Sequence, residues 1–444
     1  MAQLTHYATF DPADHRPAPR RYAWSVFAIL FALMVVDYVD RQVIVSMFSH
    51  LKAEWDLSDR QLGGLVSIVS VTVALGAVPL SLLADRWSRV KSIFVMALAW
   101  SLATIACAFA GSYMQLLATR GVVGVGEAAY GTIGAALLAS LFPPRMRSTV
   151  LGAFIAAGTL GSVVGVVVGG FIAERWGWQA GFGAVGVPGL VLALIFPLIV
   201  RDYKTVSLQR PAEGGSAPAR LALRTVVAEL LRPRTAIVTC IGAGLSLLVF
   251  STTYAWLPTY FNRYYGVAPD RAGLMTGAVV LLGGIGVLIW SLVSDRLTSR
   301  IPCARLYVPA GAAVLTTVTM VTAFAVAAPG PLQFALLALG GLLMVGSVGP
   351  TDAVVIDVIH PGLRATGASI LSLARNLFGL AGGPLLAGAL SDVYGLQFAM
   401  AVVPLFGLLA AGALLVAART YEKDLKAIAD IMPAAVNGLV PQPA

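Results

Sequence analysis

Long apolar stretches alternate with short polar breaks along almost the whole chain. Twelve of them come close to the roughly 20 residues that a helix needs to cross the hydrocarbon core of a bilayer. They lie near residues 23–48, 61–84, 91–111, 113–142, 149–173, 181–200, 235–259, 272–294, 305–328, 331–358, 366–390 and 396–418. The pattern predicts an all-α membrane protein with 12 transmembrane helices.

The composition excludes the soluble classes of protein. Of the 444 residues, 58% are hydrophobic and 11% are charged, whereas soluble domains carry about 25% charged residues. Three cysteines, two of them inside apolar stretches, offer no disulfide framework. The net charge of +9 follows from membrane topology, so we expect no nucleic-acid partner.

The basic residues predict the topology. With the N-terminus placed in the cytoplasm, 22 of the 30 Lys and Arg residues lie on the cytoplasmic side, 5 lie outside and 3 lie within spans. Because positively charged loops stay in the cytoplasm, we expect a multi-pass protein with both termini cytoplasmic. The compact chain with short loops and tails indicates the bacterial inner membrane, and we expect a monomer.

The longest polar interruption divides the chain into two halves. It contains a segment, 220–232, that is typical of an amphipathic helix lying on a membrane surface. The predicted units are an N-terminal tail (1–22), a six-helix bundle (23–200), a linker (201–234), a second six-helix bundle (235–418) and a C-terminal tail (419–444).

Three short motifs recur in both halves, in the same order. Ser81-Leu-Leu-Ala-Asp-Arg86 matches Ser291-Leu-Val-Ser-Asp-Arg296, 210 residues later. The motifs that begin at Pro144 and Gly170 return at Pro361 and Gly388, at offsets of 217 and 218 residues. The repeat predicts two bundles related by pseudo-two-fold symmetry, an arrangement in which transporters place the substrate site between the halves.

Eight ionisable residues interrupt the apolar spans. Each costs about 2.5–3.5 kcal/mol at the middle of a lipid-facing span, so we expect them to face a cavity or one another. They are Asp37, Asp40, Arg41, Arg120, Glu127, Asp352, Asp357 and Arg375.

Spacing along the helices predicts partners for some of these charges. Asp37 and Arg41 are four residues apart and share a helix face. Arg120 and Glu127 lie roughly 10 Å apart along the helix axis, so each should reach a different partner. The alternative for all of them is a static ion pair that holds two helices together.

The second half carries further candidates for contact with substrate. Asp352 lies deeper in the tenth span than Asp357, which we expect to be a gating or structural residue. Arg375 and Asn376 suit an anionic headgroup, although Arg375 could instead pair with Asp352. Hydroxyl and aromatic side chains of the seventh span, including Tyr254 and Trp256, suit a cavity wall or an interfacial belt.

These motifs resemble the major facilitator superfamily. Its loop signature is similar to Ser81-Leu-Leu-Ala-Asp-Arg-Trp-Ser-Arg89, and its fourth-span pattern is similar to Arg120-Gly-Val-Val-Gly-Val-Gly-Glu-Ala-Ala-Tyr130. The first half most resembles the spinster branch of lysolipid and sphingolipid transporters. Asp37-Tyr-Val-Asp-Arg41 is similar to that branch's Asn-Tyr-x-Asp-Arg, with Asp37 in place of the usual Asn.

The resemblance implies roles for the residues that carry it. Asp40, Arg41 and Glu127 would couple transport to protons, and Asp37 adds a charge to them. Our hypothesis is that Arg41 moves between a carboxylate and solvent as Glu127 or Asp40 takes up a proton. Expected substrate contacts are Arg120, Tyr130, Tyr254, Trp256, Asp352, Arg375 and Asn376.

The resemblance also implies a gate formed by the repeated loop motif. Asp85 would hold the start of the eleventh span near Thr366 in the outward-open state, and Asp295 would hold the fifth span near Thr149. The expected gating set is Asp85, Arg86, Arg89, Asp295, Arg296 and Asp357.

The predicted function is therefore proton-coupled secondary transport by alternating access, with a lysophospholipid or a sphingoid-like amphiphile as substrate. The alternatives are transport of a small organic anion, such as a hexuronate or an aromatic acid, and drug efflux. No P-loop motif is present, and no histidine lies in a span core, so we expect neither ATP-driven transport nor an enzyme. We also expect no cofactor and no metal.

Overall fold

The computed structural model describes residues 19–202, 232–359 and 364–429, and their regular structure is helical. Eleven of the helices in these ranges are long and apolar enough to cross a membrane. One of them, Thr149–Ile199, has 51 residues, which is more than twice the length that one crossing needs. It breaks at Gly177, where φ is 81° and ψ is 165°. Because the break divides it into two spans, the described residues form the 12 transmembrane helices that the sequence predicted.

The twelve helices are numbered in chain order. Their bounds are α1 Arg20–Trp55, α2 Asp59–Arg86, α3 Arg89–Cys107, α4 Tyr113–Leu141, α5 144–176, α6 178–199, α7 Arg234–Tyr265, α8 Pro269–Thr298, α9 Ala304–Val326, α10 Pro331–Val358, α11 364–394 and α12 Leu396–Ala427. All of the predicted amphipathic segment 220–232 except Arg232 lies outside the described residues, as do most of both predicted tails.

Polar residues set where several helices begin. Ser58 accepts a hydrogen bond from the backbone N–H of Gln61, whose side chain bonds back to Ser58, and this capping box starts α2. Ser88 and Ser112 cap α3 and α4 with their side chains alone, which accept from the backbone N–H groups of Lys91 and Gln115. The end of α7 is fixed by Gly266, whose φ of 64° is a left-handed conformation that favours glycine.

Several of the described helices depart from regular α geometry along their length. A 3₁₀ turn, Ile44–Met47, lies within α1, and a π-helical segment, Arg375–Ala381, lies within α11. α4 is interrupted between Glu127 and Tyr130, and α10 is interrupted between Leu343 and Val348. Such interruptions are common at functional sites in membrane helices.

Glycines on α5 bring its backbone into direct contact with α1. A Cβ atom at Gly161 would lie 2.4 Å from the carbonyl oxygen of Val35, and one at Gly165 would lie 2.7 Å from that of Val39. Small residues at this spacing allow membrane helices to pack closely. These glycines of the fifth span therefore form a packing surface.

The helices form two bundles, α1–α6 and α7–α12, which we call the N-half and the C-half. The near end of the molecule is where α1 begins, and the far end is where α1 ends. At the far end the halves meet where α2 crosses α11 and where α5 crosses α8. A Cβ at Gly63 would lie 2.3 Å from the Pro384 carbonyl oxygen, and one at Gly273 would lie 2.7 Å from that of Val166. Backbone thus touches backbone at both crossings, and the far end is closed.

Candidate functional site

A cluster of two carboxylates and one guanidinium lies between α1 and α4. Arg41 Nη2 is 3.1 Å from Glu127 Oε2, and Arg41 Nε is 3.6 Å from Asp37 Oδ1. The carboxylates are almost completely buried, whereas the Arg41 side chain is 20% exposed. We call Asp37, Arg41 and Glu127 the central cluster, and the ion pair of Asp37 with Arg41 is the one that their spacing predicted.

The central cluster is short of hydrogen bonds. Neither carboxylate oxygen of Glu127 accepts one from any described residue, and Asp37 Oδ1 and Arg41 Nε also lack a partner. Its charges do not balance either, because two carboxylates face one arginine. With all three groups ionised the cluster carries a net charge of −1, and one added proton makes it neutral.

A second buried pair lies nearby. Arg120 Nη1 donates to Asp40 Oδ2 at 3.0 Å, and Thr104 Oγ1 donates to Asp40 Oδ1 at 3.1 Å. The side chains of Asp40 and Arg120 are 0% and 1% exposed. This pair is neutral as a unit, because one carboxylate meets one arginine. Arg120 and Glu127 therefore have different partners, as their spacing predicted.

Arg41 lies on the face of α1 that is directed toward the C-half. Val45 and Phe48, four and seven residues further along the helix, share this face. Val45 lines a small cavity with Pro258 and Thr259 of α7, and the ring of Phe48 lies 5.3 Å from that of Trp256. The exposed part of Arg41 thus faces the space between the halves.

Asp352 lies on the corresponding face of the C-half. Arg375 Nη1 donates to Asp352 Oδ1 at 2.6 Å, which joins α10 to α11, and α10 packs against α8 where Gly349 meets Ser291. Because α8 and α11 both contact the N-half, the face of α10 between them is directed at the N-half. The side chain of Asp352 is 46% exposed.

Arg375 is largely occupied by its own half. Besides the bond to Asp352, its Nη2 donates to Thr351 Oγ1 at 2.7 Å and to the Val348 carbonyl oxygen at 2.9 Å. Arg375 therefore pairs with Asp352, which was the alternative to an arginine that is free to bind an anionic headgroup. Asn376 donates to Ser372 one turn earlier on its own helix.

Three aromatic residues predicted at the site are buried in this conformation. The hydroxyl of Tyr130 donates to the carbonyl oxygen of Leu30 at 2.6 Å. The indole N–H of Trp256 donates to the carbonyl oxygen of Pro384 at 3.1 Å. Both are packing contacts between helices. Tyr254 differs, because its hydroxyl is buried without a partner and lies against Gly283.

The predicted gating residues are described only in part. Asp357 accepts hydrogen bonds from Arg305 at 2.7 Å and from the Tyr421 hydroxyl at 3.1 Å. Asp295 lies 3.7 Å from the same arginine and is 69% exposed. Both acidic residues thus contact their own half. Of the remaining candidates, Arg296 is exposed, Arg89 begins α3, and the side chains of Asp85, Arg86 and Thr366 lie outside the described residues, as does all of His360.

The structure adds a polar cluster at the far end that our interpretation of the sequence missed. Asp59 accepts two hydrogen bonds from Arg263, at 2.6 and 2.7 Å, and one from Lys52 at 2.6 Å. Asp392 accepts from the backbone N–H groups of Asp59 at 2.7 Å and of Arg60 at 3.0 Å. Asp59 to Asp392 spans 333 residues, so local spacing gave no signal. The repeat of Asp59-Arg60 at Asp270-Arg271 was the available clue.

A metal site is not part of this arrangement. In the parts of the chain whose side chains are described, no group of three or more His, Cys, Asp or Glu residues is placed to hold a metal ion.

Two six-helix bundles related by a sequence repeat, with charged side chains buried at their interface, are the architecture of a secondary transporter. The fold and the site thus define the class of protein as a multi-pass membrane transporter. The sequence matches the Major Facilitator Superfamily over residues 30–383, and the chain belongs to this superfamily of transporters, which are not enzymes.

Comparison with known proteins places the chain near the spinster branch. It is 25% identical over 436 residues to protein spinster homolog 1 of Xenopus tropicalis, which covers 91% of this chain and 82% of that protein. It is also 27% identical over 408 residues to a gallate transporter of Pseudomonas putida, covering 85% and 88%. The spinster homologue confirms the resemblance that the motifs indicated.

A solved structure confirms the fold. The crystal structure of a bacterial homolog of the human lysosomal transporter Spinster, in an inward-facing and unoccupied conformation, superimposes with a TM-score of 0.81 at 22% identity. The match covers 91% of this chain and 99% of that chain.

Proposed function

We propose that this protein is a proton-coupled secondary transporter that moves a lysophospholipid or a sphingoid-like amphiphile by alternating access. The observation that carries the proposal is the central cluster. Two carboxylates and one arginine are buried together, and a net charge in such a place costs several kcal/mol. One proton, held on Glu127 or Asp37, removes that charge.

Motion of Arg41 would link the proton to transport. Arg41 is the only member of the central cluster with substantial exposure, and it faces the C-half. When Arg41 turns toward the space between the halves, Glu127 loses its cation and the buried carboxylate favours its neutral form. An anionic group of the substrate that draws Arg41 outward would therefore promote proton uptake. Asp40 is less suited to this role, because Arg120 already neutralises it.

The substrate would occupy the space between the halves. Arg41 of the N-half and Asp352 of the C-half both face that space, and they carry opposite charges. An amphiphile with a charged headgroup fits such a site, and relatedness to the spinster branch supports this class of substrate.

The second candidate is an aromatic acid. It is favoured by the gallate transporter among the relatives, which is slightly more similar to this chain over the aligned region than the spinster homologue is. Such a substrate would meet Arg41 through its carboxylate. Arg375 would contribute little, because Asp352, Thr351 and Val348 occupy its donors.

The remaining features of the proposal concern orientation and gating. We assign the near end and both termini to the cytoplasm of a bacterial inner membrane, because of the excess of basic residues on that side, and we propose a monomer. Asp85 and Asp295 would hold the near end closed when the far end opens, in line with their position in the repeated loop motif.

Proton flux into proteoliposomes that contain a pH-sensitive dye tests the proposal. A lysophospholipid is added to the wild type, to Glu127→Gln and to Glu174→Gln, which removes an exposed carboxylate at the far end. We expect a substrate-dependent proton flux in the wild type and in the Glu174 variant, and its loss in the Glu127 variant.

The other outcomes separate the parts of the proposal. A flux with gallate but not with the lysophospholipid would transfer the proposal to aromatic acids. A normal flux in Glu127→Gln would move the proton to Asp37, and a parallel Asp37→Asn variant would check that. Substrate uptake without any proton flux would refute proton coupling.

A further inference from the structure

The two helix crossings that close the far end occupy equivalent positions in the two halves. Gly63 on Pro384, at the α2–α11 crossing, corresponds to Gly273 on Val166 at the α5–α8 crossing, with offsets of 210 and 218 residues. Close to the far end, Gly388 packs on the backbone of Asp59, and its counterpart Gly170 packs on that of Pro269. By shape alone the two crossings are alike.

Their polar contacts are not alike. At the α2–α11 crossing, the carboxylate of Asp392 caps the first turn of α2 from the other half, where the helix dipole favours an anion. Asp59 then joins Arg263 of α7 and accepts a hydrogen bond from the hydroxyl of Ser391. A further cross-half bond runs from Ser67 Oγ to the Ala381 carbonyl oxygen at 2.6 Å.

The α5–α8 crossing has acidic residues in similar places without the matching bonds. Glu174 corresponds to Asp392 at the repeat offset of 218, and Asp270 lies one residue after Pro269, the counterpart of Asp59 at the offset of 210. Glu174 is exposed, and Asp270 accepts from the backbone N–H of its own neighbour Arg271 at 2.6 Å. Among the described residues of this crossing, no side-chain hydrogen bond or ion pair joins α5 to α8.

We infer that the far end opens asymmetrically, pivoting about the α2–α11 crossing while the gap forms first between α5 and α8. The contacts at α5–α8 are van der Waals contacts between small residues, which separate without leaving a charge unpaired. Separation at α2–α11 would unpair Asp59 from Arg263 and strip Asp392 from the α2 terminus. The polar far-end cluster thus acts as the hinge of the gate.

The inference holds for any substrate, because it concerns only how the halves part. If the proposed amphiphile is the substrate, the gap between α5 and α8 gives its apolar tail a lateral path into the bilayer. Only this path for the tail rests on the proposed function.

Spin-label distances across the two crossings test the inference. The labels are placed on exposed residues at the far end, in a background where the native cysteines are replaced by serine. One pair, Arg175→Cys with Arg271→Cys, spans α5–α8, and the other, Arg60→Cys with Val393→Cys, spans α2–α11. The distances are measured by pulsed electron paramagnetic resonance in nanodiscs.

A wedge ensures that the far end opens during the measurement. Gly273→Trp places a large side chain where a Cβ alone would lie 2.7 Å from the Val166 carbonyl oxygen. We expect the wedge to lengthen the α5–α8 distance and to leave the α2–α11 distribution as in the wild type. Adding Asp59→Asn and Asp392→Asn should lengthen the α2–α11 distance as well.

The matched control removes the two carboxylates that lie at the other crossing. Glu174→Gln with Asp270→Asn, added to the wedge, should leave the α2–α11 distance unchanged. The same labels are measured without a wedge, with and without lysophospholipid at pH 5.5 and pH 8. The inference would be overturned if, without the wedge, the α2–α11 distance lengthened as much as the α5–α8 distance. It would also be overturned if the wedge lengthened neither distance. These distances are read without transport, so failure of the proposed substrate or of proton coupling would leave them interpretable.

Discussion

Two aspartates in the membrane domain pair with arginines at similar distances but differ in burial. Asp40 lies 3.0 Å from Arg120, and Asp352 lies 2.6 Å from Arg375. The Asp40 side chain is fully buried, whereas that of Asp352 is 46% exposed. Replacing each aspartate with asparagine removes one charge and keeps the shape, so the pair of variants isolates the effect of burial.

The magnitude follows from the separation of the charges. At 3.0 Å and an effective dielectric constant of about 20, the attraction within the Asp40–Arg120 pair is about 5.5 kcal/mol. Breaking a buried pair typically costs about 3–5 kcal/mol, because the remaining charge has no partner. We expect Asp40→Asn to lower the free energy of unfolding by about that amount. Asp352→Asn should lower it by about 0–1 kcal/mol, as for exposed ion pairs.

Thermal unfolding in a single detergent, followed by circular dichroism and by the intrinsic tryptophan fluorescence, measures the difference. Asp40→Asn should unfold well below the wild type, and Asp352→Asn should unfold close to it. In the double variant Asp40→Asn with Arg120→Gln the unpaired charge is gone, so much of the lost stability should return. The reasoning is refuted if the two asparagine variants unfold at the same temperature. It is also refuted if the effects of Asp40→Asn and Arg120→Gln simply add in the double variant, because that would mean the two residues do not stabilise each other.

Two further predictions concern packing and gating. Gly161→Ala should lower stability by about 1–3 kcal/mol, because its Cβ would meet the backbone of Val35. A Cβ at Gly152 would have no heavy atom within 4 Å, so Gly152→Ala should raise stability by about 0.5–1 kcal/mol. Equal unfolding temperatures for the two variants would contradict this prediction. Asp85→Asn should shift the resting population toward the state that is open at the near end, because the contact expected with α11 near Thr366 is lost. Labelling of cysteines placed along the near-end cavity measures that shift, and an unchanged labelling rate would contradict the role of Asp85.

Much of the architecture follows from periodicity and repetition alone. A stretch of about 20 apolar residues has few alternatives to a membrane helix, because the bilayer offers no partner for an unpaired backbone group. The three repeated motifs required two similar halves, and the spacing of Asp37 and Arg41 required a shared face. Helix geometry also predicted different partners for Arg120 and Glu127, because a helix fixes the distance between its own residues.

Pairing across helices could not be read from the chain in the same way. Asp40 is adjacent to Arg41 in sequence, but the fold gives Asp40 to Arg120 and leaves Asp37 beside Arg41 and Glu127. That choice depends on how α1 is rotated against α3 and α4, and several rotations satisfy the same apolar pattern. For the same reason the sequence left open whether Arg375 was free or paired with Asp352.

The sequence by itself determined the membrane spans, the two-fold repeat and the small set of charged residues that had to find partners away from lipid. The tertiary structure decided which of those charges meet, and it brought together Asp59, Arg263 and Asp392, which lie up to 333 residues apart. The physical reason is the range of each constraint. Hydrophobicity and helix geometry act over one or two turns, whereas an ion pair between helices exists only once the packing of both bundles has fixed their rotation and their depth.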